Sequence, residues 1–131
     1  MMDKDYVFVY GTLRRNGTNH QLMKGAELAA ERAWTNGKLF DTGCGYPAIK
    51  ESPSGTVYGE LYLVTAEQLK GLDKLEDYQE GGRNNLYDRK KQTVFHDDSQ
   101  TEAYVYTIAR HNEKMLKTPI PSGDWSAYLN R

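Results

Sequence analysis

The sequence has few of the features that mark secreted, membrane or metal-binding proteins. Its 131 residues include a single cysteine, Cys44, which cannot form an internal disulfide and suits a reducing compartment. No segment approaches the length of a membrane span, and the first residues, MMDKDYVFVYGT, lack the apolar stretch of a signal peptide. We therefore expect a cytoplasmic protein that works without a membrane.

An excess of charge of either sign is also missing. Lysine and arginine together number 17 and aspartate and glutamate 18, which gives a formal net charge of -1. Without a basic excess, the composition does not indicate a nucleic-acid partner. The histidines, His20, His96 and His111, lack the spacing of metal ligands, so we predict no metal site. A chain of this length fits one domain, residues 1–131.

Short runs of aromatic and β-branched residues favour strands over long helices. Residues 56–63 alternate, with Val57 and Leu61 on one face and Glu60 and Tyr62 on the other, which predicts a strand. Further strands are predicted over residues 6–10, after the loop that opens 41–49, and over 86–95 and 102–109. The last two segments flank HDDSQT, which predicts an antiparallel hairpin.

Helices are predicted in three short segments. One lies around residues 19–30, and one runs from the capping box TAEQ, with Thr65 as N-cap and Gln68 three residues on, to about Asp77. The segment DWSAYLN predicts a third, with Asp124 or Ser122 near its cap. This order of elements predicts an α+β fold, a mostly β sheet or barrel with short helices packed on it.

Glu76 lies on the apolar face of its predicted helix, where a carboxylate is unexpected. At about 100° per residue, Leu69 and Leu72 mark the apolar stripe, and Glu76 falls inside that stripe. Burying a carboxylate is costly unless it is paired or hydrogen-bonded. One interpretation is that Glu76 bends out at the helix end or pairs with Arg83 or Arg89. The other is a general base in a cleft, whose pKa burial would raise toward the working pH.

The segment Tyr10-Gly11-Thr12-Leu13 follows the first predicted strand. A glycine there would let backbone N–H groups approach a ligand and hold a carboxylate or an oxyanion, although an ordinary turn would use the same residue.

Other residues near the predicted site carry weaker signals. Arg14 and Arg15 read as a solvated pair that could touch an anionic substrate. Tyr87 and Arg89 are two apart and so share a strand face, on which they could bind on the side of Glu76. Nothing in the sequence marks Cys44 as a nucleophile.

Together, seven segments resemble the γ-glutamylcyclotransferase-like family, which includes γ-glutamylamine cyclotransferases and AIG2-like proteins. In order they are VYGTLR at 9–14, Asn19-His20, GYPAI at 45–49, VYGELY at 57–62, LDKLEDY at 72–78, YDR at 87–89 and AYVY at 103–106. The resemblance implies a small mixed β-barrel with helices around it, and a cavity lined by Tyr10, Gly11, Thr12 and Leu13. The catalytic glutamate of the LDxxE pattern maps to Glu76. We add Tyr46, Tyr87 and Arg89 as candidate substrate-binding residues.

The resemblance also implies a reaction that needs no metal or organic cofactor. The free α-amine of a γ-glutamyl group would attack its own γ-carbonyl, giving 5-oxoproline and a released amine, with Glu76 carrying the proton. Many relatives have glycine after that glutamate, whereas this chain has Asp77, whose charge could raise the pKa of Glu76. Two alternatives stay open: a non-catalytic module that binds a small metabolite, and an amide hydrolase that uses the same cavity.

Overall fold

We describe residues 4–130 in a computed structural model of the chain. The strands are β1 (Lys4–Val9), β2 (Glu27–Asn36), β3 (Lys38–Asp41), β4 (Pro47–Lys50), β5 (Thr56–Thr65), β6 (Tyr87–His96), β7 (Ser99–Ile108) and β8 (Thr118–Pro119). The α-helices are α1 (Ala66–Leu75) and α2 (Trp125–Leu129), and two short 3-10 helices cover His20–Met23 and Arg110–Met115.

Five of these strands close into a mixed barrel in the order β1-β5-β2-β6-β7. β1 closes the barrel by pairing in parallel with β7, while the other neighbours pair antiparallel. A small antiparallel sheet, β4-β3-β8, accompanies the barrel. The α+β fold that the sequence predicts, a small mixed barrel with short helices around it, is confirmed.

The second half of β1, residues 7–9, is buried on both faces, which explains why all three of these residues are apolar. Phe8 packs into one hydrophobic cluster with residues of the other barrel strands, such as Leu61. Val7 and Val9 pack into a second cluster together with Leu72 of α1. The strand therefore lies between the barrel core and the helix, and its C-terminal end leads directly into the segment 10–13.

The predicted helix around 19–30 is wrong. A 3-10 turn at His20–Met23 ends near Gly25, and β2 begins at Glu27. Ala30 and Ala33 are both buried, and their spacing of three imitates a helical stripe. In the structure two β-bulges shift the register of β2 against β5 around these residues, which brings both alanines to the core.

The other element predictions agree with the structure. Thr65 and Gln68 form the capping box at the start of α1, and Asp124 caps α2 through the N–H of Ala127. β6 and β7 form the expected hairpin, with a connection of only Asp97 and Asp98. Among residues 4–130, no helix is both long enough and apolar enough to span a membrane.

Candidate active site

A small cavity lies where the end of β1, the segment 10–13, the end of α1 and the strands β6 and β7 meet. Its volume is about 30 Å³, room for one or two water molecules, so a larger ligand must displace a lining side chain. The lining residues are Phe8, Val9, Tyr10, Gly11, Thr12, Leu13, Tyr46, Glu76, Tyr87 and Tyr106. The cavity therefore gathers seven of the eight site residues that the sequence predicts, and their roles stay predictions.

Glu76 is the C-cap residue of α1, and its backbone N–H donates to the Leu72 carbonyl over 2.9 Å. Its partly buried carboxyl makes no hydrogen bond or ion pair within residues 4–130, so the suggested pairs with Arg83 and Arg89 are wrong. Burial raises the pKa of Glu76 from 4.5 to about 7. A carboxyl with a pKa near neutrality can both accept and return a proton at working pH.

Asp77, beside Glu76, has a φ of 52°, in the left-handed region that favours glycine. Glycine suits the residue that follows a helix C-cap when that residue is left-handed, as Asp77 is here. Asp77 is exposed, and burial is what raises the pKa of Glu76. The suggestion that the charge of Asp77 raises this pKa is therefore not supported.

The segment 10–13 offers donors to the cavity. The backbone N–H groups of Gly11, Thr12 and Leu13 donate no hydrogen bond to any other of the residues that the structure describes. The turn itself is held by Arg14 N–H, which donates to the Gly11 carbonyl over 3.1 Å, and by Asn19 N–H, which donates to the Thr12 carbonyl over 2.9 Å. Free N–H groups beside a cavity can bind a carboxylate or a developing oxyanion.

Three lining tyrosines direct their hydroxyl protons to acceptors of the protein. Tyr10 donates to the Tyr106 carbonyl over 2.6 Å, Tyr87 to the Pro47 carbonyl over 2.7 Å, and Tyr106 to Asp73 Oδ1 over 2.6 Å. Burial first, and the charge of Glu76 among the further causes, raises the pKa of all three phenols. These phenols therefore stay neutral at physiological pH.

Two candidate residues lie at or beyond the edge of the cavity. Tyr46 is half-buried, and its ring centroid lies 6.4 Å from that of Tyr87. Arg89 does not line the cavity: its Nη1 contacts Asp73 Oδ2 at 2.5 Å, and its guanidinium lies 4.4 Å from the Tyr104 ring centroid. The strand face that Tyr87 and Arg89 share thus continues past the cavity.

Sequence analysis missed Tyr106 and Asp73. The register of the β6–β7 hairpin sets Tyr106 opposite Arg89, and an alignment of the two predicted strands could have revealed that pairing. Asp73 lies one helical turn before Glu76, but a flank position on a helix carries no signal by itself.

A second buried carboxylate, Glu60, lies on β5 and is fully partnered. It accepts from the backbone N–H of Arg15 at 3.0 Å and from the Tyr62 hydroxyl at 2.9 Å, and it lies 3.7 Å from Arg14 Nε. Arg14 Nη1 also contacts Asp124 Oδ1 at 2.9 Å. The expectation that Arg14 is solvated is therefore wrong, because it ties the end of the 10–13 segment to the barrel and to α2.

No cluster of three or more His, Cys, Asp or Glu side chains that could hold a metal occurs between residues 4 and 130. Cys44 is exposed, near Tyr46, and its Sγ lies 3.8 Å from the Thr42 carbonyl oxygen. The groups of the cavity that can carry chemistry include one carboxyl, backbone N–H groups, the Thr12 hydroxyl and phenols.

Comparison with known proteins agrees with this arrangement. The sequence model of the family described as γ-glutamyl cyclotransferase, AIG2-like, matches residues 7–127. A candidate γ-glutamylcyclotransferase of Halalkalibacterium halodurans is 41% identical over 104 residues, covering 79% of this chain and 90% of that protein. The γ-L-glutamyl-butirosin B γ-glutamyl cyclotransferase of Niallia circulans is 38% identical over 123 residues, covering 93% of this chain and 76% of that protein.

The fold agrees as well. The crystal structure of an AIG2-like protein from Mus musculus matches with a TM-score of 0.74 at 26% identity, covering 93% of this chain and 94% of that one. Because the family match spans almost the whole chain and the barrel is shared, this protein belongs to the AIG2-like γ-glutamylcyclotransferase family and is an enzyme of that type.

Proposed function

We propose that the enzyme cyclises a γ-glutamyl amine or γ-glutamyl amino acid to 5-oxoproline and releases the free amine, with Glu76 as general acid and base. The α-amine nitrogen attacks the γ-carbonyl carbon, a ring C–N bond forms, and the bond to the leaving nitrogen breaks. Glu76 takes a proton from the attacking amine and returns it to the leaving amine, so the proton count balances.

One observation carries the proposal: the partly buried Glu76 carboxyl has no ion-pair or hydrogen-bond partner within residues 4–130, and its pKa is raised to about 7. A carboxyl in that state can act on a neutral amine at physiological pH. The free N–H groups of Gly11, Thr12 and Leu13 supply donors for the substrate carboxylate or the developing oxyanion. Holding the chain folded for ring closure lowers the barrier further.

The walls of the cavity favour a small head group. Tyr10, Tyr46 and Tyr87 supply aromatic surface around Glu76, and the volume of about 30 Å³ means that a γ-glutamyl head must displace one of the lining side chains. Tyr46 is the candidate to move, because it is the half-buried tyrosine of the lining. The leaving amine would then project outward.

The reaction assigns this enzyme a small-molecule γ-glutamyl partner. We propose that it acts in the cytoplasm as a single domain over residues 1–131, without a nucleic-acid or membrane partner. The composition and charge given above support this proposal.

The test is a screen of γ-glutamyl amides for release of 5-oxoproline. It includes γ-glutamyl amino acids, γ-glutamyl alkylamines and a γ-glutamyl aminoglycoside, because the relative from Niallia circulans is named for γ-L-glutamyl-butirosin B. Each substrate is paired with its N-acetyl derivative, whose blocked α-amine cannot cyclise. Release of amine from the blocked compound would indicate an amide hydrolase, and no release from any compound would contradict the proposed activity.

A further inference from the structure

A partly buried polar network joins α1 to the β6–β7 hairpin beside the cavity. The two oxygens of Asp73 are divided between two partners: Oδ1 accepts from the Tyr106 hydroxyl at 2.6 Å, and Oδ2 contacts Arg89 Nη1 at 2.5 Å. Arg89 and Tyr106 face each other across the hairpin register, and Asp73 lies one helical turn before Glu76. Of the three partners, only Tyr106 lines the cavity.

The chemistry of these groups fixes the direction of one proton. An ionised carboxylate can only accept hydrogen bonds, and a guanidinium can only donate them. With Asp73 held by Arg89, the hydroxyl of Tyr106 must donate its single proton to Asp73. The phenol oxygen keeps its lone pairs, so toward any further partner it can accept a hydrogen bond but cannot donate one.

The hydroxyl proton of Tyr87 also has a fixed direction, because this hydroxyl donates to the Pro47 carbonyl over 2.7 Å. Tyr87, Tyr106 and Glu76, whose oxygens can all accept, line the same cavity, and the N–H groups of Gly11–Leu13 are donors in its lining. Such a division of acceptors and donors matches a substrate head group that carries an amine at one side and a carboxylate at the other.

We propose that Asp73 is a positioning residue, supported by Arg89, that keeps the Tyr106 oxygen an acceptor so that Tyr106 and Tyr87 recognise the α-amino group of the substrate. The inference rests on the proposed γ-glutamyl substrate. It gives Arg89 an indirect role, through Asp73, in place of the direct contact with substrate that the sequence predicts.

The test compares two ligands that differ only in the α-amine: L-γ-glutamylmethylamide and the monomethylamide of glutaric acid. Dissociation constants are measured by calorimetry in a Glu76→Gln background, which suppresses turnover. The variants added to this background are Tyr106→Phe, Asp73→Asn and, as the matched control, Asp77→Asn, which makes the same charge change at an exposed site near the end of α1.

The background protein should bind the amine-bearing ligand more tightly than its des-amino partner. Tyr106→Phe removes the acceptor and should reduce that preference about tenfold or more, the size expected for one hydrogen bond to a charged group. Asp73→Asn lets the amide donate to the phenol oxygen, which turns the hydroxyl proton toward the cavity and should reduce the preference at least as much. Asp77→Asn should keep it. A merely structural role would weaken both ligands alike and leave the ratio unchanged.

An unchanged ratio of the two dissociation constants in Tyr106→Phe overturns the inference. If Asp73→Asn does not fold, Tyr106→Phe alone decides, because Tyr106→Phe keeps the Asp73–Arg89 pair. Equal affinity of the background protein for the two ligands, or no binding of either, also overturns it. By contrast, an enzyme that never releases 5-oxoproline, yet shows the ligand preference and its loss in the variants, would refute the proposed activity and leave this inference standing.

Discussion

Glu60 and Glu76 are two carboxyl groups that the fold withdraws from water, and their surroundings differ in every respect that matters for chemistry. Glu60, 5% exposed, is surrounded by donors: the Arg15 backbone N–H, the Tyr62 hydroxyl and the Arg14 guanidinium. Glu76 has no hydrogen-bond or ion-pair partner within residues 4–130, and lies in a cavity lined by tyrosines.

The difference shows that burial alone does not identify a catalytic carboxyl. A buried carboxylate costs folding free energy unless donors compensate it. Around Glu60 the donors are present, and the hydrogen bond from the Arg15 N–H fixes the turn after residues 10–13. Around Glu76 they are missing, and burial raises its pKa to about 7. The fold thus uses one carboxyl to hold its structure together and leaves the other free to exchange a proton.

The largest effect is expected from Glu76→Gln, which tests whether Glu76 is the catalytic carboxyl. The amide keeps the shape of the side chain but cannot act as a base, so turnover should fall about 10²–10⁴-fold. Stability should change little, because no ion pair is lost. Release of 5-oxoproline and thermal unfolding are measured on one preparation, and a Glu76→Gln enzyme that turns over at the parent rate would end the catalytic assignment.

Glu60→Gln should show the opposite pattern. The change removes the charged acceptor of the Arg15 N–H and the Tyr62 hydroxyl, while Arg14 keeps its pair with Asp124. We therefore expect a loss of about 1–3 kcal/mol in the free energy of unfolding. Urea titration measures it. Glu31→Gln is the control, because Glu31 pairs with Arg15 at 3.0 Å on the exposed surface and should change stability by less than about 0.5 kcal/mol. Equal losses in the two variants would contradict the structural role of Glu60.

Gly11→Val tests the donor side of the cavity. A Cβ at Gly11 would lie 2.8 Å from Pro47 Cγ and Cδ, and the Pro47 carbonyl holds the Tyr87 hydroxyl. Gly11 is not among the residues with positive φ, so the expected damage comes from this contact rather than from backbone strain. We expect about 1–3 kcal/mol of destabilisation and a raised KM, with Gly11→Ala intermediate. Unchanged affinity in folded Gly11→Val would argue against substrate binding by this turn.

The smallest effect is expected from Asp77→Asn. The residue is exposed, and burial of Glu76 raises the pKa of that carboxyl without help from Asp77. Asparagine also tolerates the φ of 52°. The midpoint of the pH–rate profile should therefore stay where it is in the parent enzyme, and a shift of a full pH unit would show that the neighbouring charge matters.

Sequence patterns predicted the fold where local rules decide the structure. The capping box at Thr65 and the apolar stripe of α1 are local, and they were enough to single out Glu76. β2 was misread because two bulges give Ala30 and Ala33 a spacing that only pairing with β5 explains. Tertiary contacts, which no local pattern encodes, decided that segment.

The site was predictable in part for the same reason. Tyr10 and Gly11 are adjacent along the chain, period-two spacing singled out Tyr87 with Arg89, and the resemblance to a family supplied Tyr46. The partners of a side chain come from distant elements: Arg14 meets Asp124, and Arg89 meets Asp73. Whether a carboxyl is compensated could therefore be read only from the structure.

The pH dependence of kcat/KM tests the central claim most directly, that Glu76 is an unpaired carboxyl tuned by burial to carry a proton. A general base works in its ionised form, and the Glu76 pKa is raised to about 7, so kcat/KM should fall as the pH drops through about 7. An acid limb centred near 4.5, the ordinary value for glutamate, or a profile without an acid limb, would contradict the account.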